Sequence, residues 1–170
     1  MVTAKEPSKP ISPTTTDKIA TVPGVISVEQ TRNVLLQRTD NGQAALVNGH
    51  LIPTHPHLVK GRAPATLDEV AVNQSTADNN AAIGSKITVN DPSRDGAKSI
   101  TLTVVGVLDP NSRTTTTPTS PEVYLSAASL ASISGHRGAN TVYVNSDRPA
   151  AQIVREVSKV VGTTATVRTA

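Results

Sequence analysis

The strongest constraint on the fold is a series of runs between Gly61 and Val107 in which apolar and polar residues alternate. The runs read EVAVN from Glu69, IGSKITV from Ile83 and ITLTVVGV from Ile100. Alternation at period two is typical of strands with one buried face, and the Gly and Pro residues between the runs favour turns. The stretch therefore predicts an antiparallel sheet, interrupted by one short helix near residues 75–82.

Two glycines in this stretch have predicted structural roles. Gly106 has the same parity in the alternation as Leu102 and Val104, whereas the apolar Val105 has the opposite parity. A β-bulge or a change of buried face at Gly106 would accommodate both sets. Gly61 is expected to adopt a backbone angle that other residues do not reach.

The clearest single helix is predicted near the C-terminus. Asp147 is expected to cap it, Pro149 lies in its first turn and Gly162 ends it. Its apolar residues recur at intervals of three and four, which gives one stripe made of Ala150, Ile153, Val154, Val157, Val160 and Val161. Strands are predicted before and after this helix, at residues 141–145 and 165–168.

The two chain ends are predicted to form one split subdomain of α+β class. Residues 1–10 are polar with two prolines and indicate a linker or disordered segment, and Ser12 and Pro13 start a helix that ends at Pro23. We expect residues 11–58 and 138–170 to form this subdomain and residues 59–137 to be a β-rich insertion. Residues 109–121, rich in Thr and Pro, are expected to be a poorly ordered loop.

Composition excludes several functions. The chain has no cysteine, which removes disulfides, cysteine-ligated zinc and thiol nucleophiles. Phe and Trp are also absent, so the core must be aliphatic, and no dense basic cluster suits nucleic acid. No run of about 20 apolar residues is present, so no segment is expected to span a bilayer.

Three histidines are the only clustered candidates for metal ligation. His50, His55 and His57 fall in a Pro-rich connection with no cysteine nearby, and the next acidic residue along the chain is Asp68. We expect them to be exposed loop residues that bind no metal. His136 and Arg137, between two glycines, are expected to form a turn.

No residue pattern indicates catalysis. No serine lies in a Gly-x-Ser-x-Gly elbow, and no glycine-rich loop carries the Lys-Ser/Thr that binds phosphate. Asp68 and Glu69 are adjacent, so in a strand they point to opposite faces and are expected to be solvated charges at a strand edge. The sequence therefore predicts no catalytic, cofactor-binding or metal-binding residue, and a protein that is not an enzyme.

The order of motifs resembles a known family. The pattern GRAP, EVAV, IGSKITV, LTVVGVL and VYLS, after a helix and a Pro-Gly-Val turn, is similar to the MacB-like periplasmic core domain of FtsX/MacB-type ABC transporter permeases. This resemblance implies a porter-like α+β subdomain from both chain ends with an inserted, mainly β Sabre-like subdomain. It also implies a location on the extracytoplasmic face of the bacterial cytoplasmic membrane.

The same resemblance implies a role in transport without catalysis. Such a domain lies between membrane helices, here outside this sequence, and couples cytoplasmic ATP hydrolysis to substrate export or to partner action by mechanotransmission. The implied partners are a cytoplasmic ABC ATPase, a second permease copy, and an extracytoplasmic adaptor, lipoprotein or peptidoglycan hydrolase. The alternative is a free secreted binding or adhesion module, which would lack apolar helices on either side.

Overall fold

The computed structural model describes residues 1–6, 9–42, 44–96, 98–109, 120–135 and 137–169. The strands in these ranges are β1 (Val2–Ala4), β2 (Val25–Thr31), β3 (Asn33–Arg38), β4 (Ala45–Leu51), β5 (Leu58–Gly61), β6 (Glu69–Asn73), β7 (Lys86–Asn90), β8 (Ile100–Leu108), β9 (Glu122–Leu125), β10 (Thr141–Ser146) and β11 (Ala165–Val167). The helices are α1 (Pro13–Ala20), α2 (Gln74–Asp78), α3 (Ala127–Ser134) and α4 (Ala150–Val161). None of the helices in the described ranges is both long and apolar enough to cross a bilayer.

The chain divides into two compact units. The terminal unit comprises Met1–Arg32 and Arg137–Ala170, and the inserted unit comprises Asn33–His136. The sequence predicts an inserted unit that begins after residue 58, whereas this unit begins at Asn33. The difference arises because β3 pairs with β7, and β4 with β9, in the inserted unit. Local pattern gives no information about strand partners, so it could not assign β3 and β4 to a unit. The predicted α+β class is confirmed.

The terminal unit is a four-stranded antiparallel sheet with two helices. Its strand order is β11-β1-β10-β2, so that strands from both chain ends alternate across the sheet. The buried residues of α1 and α4 share one aliphatic core with the sheet. This core comprises Val2, Ile11, Ile19, Val22, Ala139, Val142, Ile153, Val157, Val161 and Ala165.

The N-terminal strand differs from the prediction of a linker over residues 1–10. Val2–Ala4 lies between β10 and β11, and Val2 is paired with both Val142 and Val167. The Val2 side chain is fully buried. Three residues are too few to show a periodic pattern, so the sequence carried no signal for this strand. Pro7 and Ser8 lie outside the described residues.

Helix α4 confirms most of the predicted stripe but not the predicted cap; within the stripe, Val154 and Val160 are half-buried and Ala150 is exposed. Ile153, Val157 and Val161 are buried. The N-cap position is Pro149 and makes no side-chain hydrogen bond, whereas the backbone N–H of Asp147 donates to the Gly24 carbonyl at 3.0 Å. Burial of the apolar stripe therefore holds this helix in place without a capping side chain.

The inserted unit is a six-stranded closed barrel with one flanking strand. Pairings run in the order β8-β6-β9-β4-β3-β7, and β7 pairs again with β8, while β5 flanks β8. The sheet is mixed, in contrast to the predicted antiparallel sheet, because β6 pairs with β8 and β4 with β9 in parallel. Closure leaves few free strand edges, which limits unwanted pairing with other chains.

The barrel interior is aliphatic, as the composition predicts. It comprises Leu36, Val47, Val70, Val72, Ala81, Ile87, Val89, Leu102, Val104, Val107, Val123, Leu125, Leu130 and Ile133. These residues come from six strands, from α3 and, in the case of Ala81, from the connection between α2 and β7, so the core depends on pairing between distant parts of the chain. Of the predicted mobile loop at 109–121, residues 110–119 lie outside the described residues.

The predicted roles of Gly106 and Gly61 are confirmed. In the pairing of β6 with β8, Val70 is opposite Val104 and Ala71 is opposite Gly106, so Val105 is the extra residue of a bulge. Gly61 has φ +72°, a left-handed conformation that disfavours side chains. A Cβ atom at Gly106 would collide with the backbone carbonyl of Arg62. The two chain segments therefore approach closely because both positions lack side chains.

Candidate functional site

The three candidate histidines do not converge. His50 lies in β4 rather than in the predicted loop, because the strand extends to Leu51. His55 and His57 lie between β4 and β5 and are exposed, as expected. The described part of the chain contains no group of three His, Asp or Glu residues placed to hold a metal ion. That the histidines bind no metal stays a prediction.

His50 is part of a polar cluster on β3, β4 and β9. Its ring stacks on Tyr124 with centroids 5.3 Å apart, and its Nδ1 lies 2.7 Å from Asn33 Oδ1. Glu122 Oε1 is 3.5 Å from His50 Nε2, and Tyr124 Oη donates to Glu122 Oε2 at 2.5 Å. Burial lowers the pKa of His50, although the Glu122 carboxylate opposes this shift. The cluster therefore links β3, β4 and β9 through side-chain contacts.

Contrary to the prediction, Asp68 and Glu69 are not both solvated charges. Asp68 is exposed, but Glu69 is buried and forms an ion pair with Arg62. Glu69 Oε1 also accepts from the backbone N–H groups of Ala65 at 3.3 Å and Thr66 at 3.1 Å. The Arg62 hydrogen bond, with smaller contributions from the Thr66 hydroxyl and the Ala65 N–H, outweighs the opposing effect of burial and lowers the pKa of Glu69 from 4.5 to about 2. This carboxylate therefore closes the loop before β6.

The Glu69 contacts predict a defined loss of stability in acid. Because the folded-state pKa lies below the ordinary value, the contribution of Glu69 is present above pH 4.5 and is lost as pH falls towards 2. We expect Glu69→Gln to have a lower melting temperature than the unmodified chain at pH 7 but nearly the same one near pH 2. Thermal unfolding by circular dichroism across this range measures the difference.

Arg62→Gln is the matched variant for this test. It removes the largest cause of the shift and should reproduce most of the pH dependence of Glu69→Gln. The double variant should then differ little from either single one. A constant difference between Glu69→Gln and the unmodified chain from pH 7 to pH 2 would contradict the assignment.

The two chain ends meet at one edge of the terminal sheet. The Met1 amino group donates to the Arg168 carbonyl at 2.8 Å, and the Arg168 N–H donates to the Met1 carbonyl at 2.9 Å. These bonds extend the antiparallel pairing of β1 with β11, the edge strand. The chain therefore enters and leaves the terminal unit at neighbouring points.

A small cavity and an open groove lie beside these ends. The cavity has a volume of about 150 Å³ and is lined by Met1, Val2, Ile153, Val157 and Val167 among others. Ligand sites for drug-sized molecules usually have volumes of about 300–1,000 Å³. The cavity is therefore too small to hold a ligand of that size.

Comparison with protein families decides the identity. The family model of the MacB-like periplasmic core domain matches residues 1–160. The chain belongs to this family. The MacB-like domain is thus an extracytoplasmic part of an ABC transporter permease, a class of protein that works with an ATPase. No curated protein matches it in sequence.

Solved structures share the fold of this MacB-like domain. The extracellular domain of the noncanonic ABC-type transporter YknZ from Gram-positive bacteria superposes with a TM-score of 0.71 at 12% identity, over 96% of this chain and 91% of that chain. The periplasmic region of MacB from Actinobacillus actinomycetemcomitans gives 0.61 at 14% identity, over 90% and 73%. At these identities the likeness extends to the fold alone.

Proposed function

We propose that this domain transmits motion from an ABC transporter permease to a substrate or partner outside the membrane. In this role, ATP hydrolysis in the cytoplasm moves the membrane segments, and the domain carries that movement outward without catalysing a reaction. The observation that supports the proposal most directly is the pairing of Met1 with Arg168, at 2.8 and 2.9 Å, at one sheet edge.

The pairing makes the terminal unit suited to receive a movement. Segments that continue from β1 and β11 would pull on adjacent strands, which hydrogen bonds join to the rest of the sheet. Val2 on β1 and Ala165 on β11 also belong to the core that contains Val157 of α4. A packed core resists internal rearrangement, so movement of both ends displaces the unit as a rigid body.

The proposed partners follow from the permease context. A cytoplasmic ATPase and a second permease copy would supply the motion through membrane helices beyond this sequence. An adaptor protein, a lipoprotein or a peptidoglycan hydrolase would receive it outside. The domain's own surface would then serve only in binding.

A flexible linker tests the proposed transmission. In the intact permease, a Gly/Ser insertion of about ten residues directly after Thr169 would uncouple β11 from the segment that follows it. We expect the assembled transporter to keep its ATPase activity but to lose most of its substrate export. Export per ATP hydrolysed, measured in membrane vesicles, is the quantity to compare.

The same insertion after Asp95 is the control. Asp95 lies in an exposed turn of the inserted unit, where a Cβ at the neighbouring Gly96 would meet only open space. This insertion should leave the coupling unchanged. Unaltered export with the linker after Thr169 would overturn the proposal.

A further inference from the structure

The groove on the terminal unit lies between α4 and β11. Three apolar side chains line it, those of Ala151, Val154 and Val167, together with the arginines Arg155 and Arg168. Both arginines are exposed. The groove therefore combines an apolar surface with two guanidinium groups that are accessible from solvent.

The positive charge of the groove is not neutralised locally. Among the described residues, no acidic one lines it. The single acidic residue of α4, Glu156, lies 3.7 Å from Lys159 Nζ instead. In the described part of the chain, Arg155 makes no ion pair and Arg168 uses only its backbone in hydrogen bonds. Each guanidinium is thus available for an external anion.

The charge of the chain is also unequally divided between the units. The terminal unit has nine Lys and Arg against five Asp and Glu, whereas the inserted unit has seven against eight. The overall excess of three positive charges therefore arises from the terminal unit. This unit is also the one that contains both chain ends.

We propose that the groove between α4 and β11 binds the phosphate-bearing headgroups of anionic lipids at the outer surface of the cytoplasmic membrane. The inference rests on the proposed function, in which the segments beyond Met1 and Thr169 lead to the bilayer. Arg168 itself pairs with Met1, so the groove lies directly beside that exit. Guanidinium groups bind phosphate through paired hydrogen bonds, and the apolar residues suit the interface below the headgroups.

Vesicle binding of the chain comprising residues 1–170 tests this proposal. The protein is sedimented with vesicles of phosphatidylcholine mixed with phosphatidylglycerol and, separately, with vesicles of phosphatidylcholine alone. We expect binding to the anionic vesicles only, and weaker binding as salt is raised. The double variant Arg155→Gln, Arg168→Gln should bind about 25-fold more weakly, at about five-fold for each arginine.

The matched control removes two positive charges from the other unit. Lys60 and Lys86 are exposed in the inserted unit, and Lys60→Gln with Lys86→Gln lowers the net charge equally. This variant should bind the anionic vesicles within about two-fold of the unmodified chain. Circular dichroism at matched temperature verifies that both variants remain folded.

Three outcomes would overturn the proposal: no binding to anionic vesicles, equal binding to both kinds of vesicle, or equal loss in both double variants. The last outcome would mean that net charge acts without a defined site. A second measurement, on the unmodified chain, tests the proposal if one of the double variants fails to fold. In the ¹⁵N-labelled unmodified chain, short-chain phosphatidylglycerol should shift the amides of Val154 and Val167, and unchanged amides there would also overturn the proposal.

This assay is independent of transport. Export that survives the linker after Thr169 would refute the transmission role while vesicle binding could still hold. Conversely, absent vesicle binding with lost export in the linker variant would refute only the lipid site. The two proposals therefore fail separately.

Discussion

Replacing Gly61 by alanine is expected to destabilise the inserted unit by about 4 kcal/mol. The residue has φ +72°, where an L-residue loses about 1–2 kcal/mol. In addition, its Cβ would overlap the Val105 carbonyl and lie 2.8 Å from the Ile83 side chain. The carbonyl belongs to the bulge of β8 and has no rotamer by which to move away, so relief requires a shift of the backbone. Urea unfolding followed by circular dichroism measures the loss.

Gly96→Ala separates the cost of the positive φ from the cost of the steric overlap. Gly96 has nearly the same backbone angle, φ +68°, but a Cβ there meets nothing within 4 Å. Its replacement should therefore cost only the conformational penalty of about 1 kcal/mol. Equal losses in the two variants would show that the close approach of β5 to β8 does not matter.

The elements predicted most accurately are those set by local signals. Helix α4 ends before Gly162, as predicted, and its buried residues Ile153, Val157 and Val161 all belong to the predicted stripe. The bulge at Gly106 follows from residue type and the alternation of its neighbours in the same way. Each of these depends on neighbours only a few residues away.

The features that could not be predicted depend on distant neighbours. Arg38 appears in the sequence as an ordinary strand residue, yet its side chain is buried, forms two 2.8 Å bonds with Asp40 and donates to the Asn79 carbonyl. Burial raises the pKa of Asp40, but Arg38 and the Thr88 N–H more than offset this and lower it overall. No spacing in the sequence indicates that residues 79 and 88 lie beside residue 38.

The groove between α4 and β11 also depends on residues that are distant in the sequence. Arg155 and Arg168 are separated by the end of α4, a turn and β11, and neither belongs to a recognisable motif. Only the packing of α4 beside β11 brings them to one groove. The resemblance to a family gave the fold and the permease context, but it gave no residue of this surface.

Replacing Val157 by aspartate is expected to unfold the terminal unit. Val157 is fully buried at the centre of the α4 stripe, in a core with Val2 and Val142. An unpaired carboxylate there loses its hydration, which costs several kcal/mol, and the lost apolar contacts add about 2 kcal/mol. The sum is comparable with the whole stability of a typical domain, about 5–15 kcal/mol.

The two tyrosines allow this unfolding to be observed in one unit at a time. Tyr143 lies in β10 of the terminal unit and Tyr124 in β9 of the inserted unit, and the chain has no other tyrosine. In protein labelled with ¹⁵N-tyrosine, the Tyr143 amide should move to a random-coil position in Val157→Asp. Ser158→Asp, on the exposed side of the same helix, should leave that signal in place because its carboxylate stays hydrated. A native Tyr143 signal in Val157→Asp would mean that burial of α4 is not needed to hold the sheet together. The core around α4 would then not be what makes the terminal unit move as a rigid body.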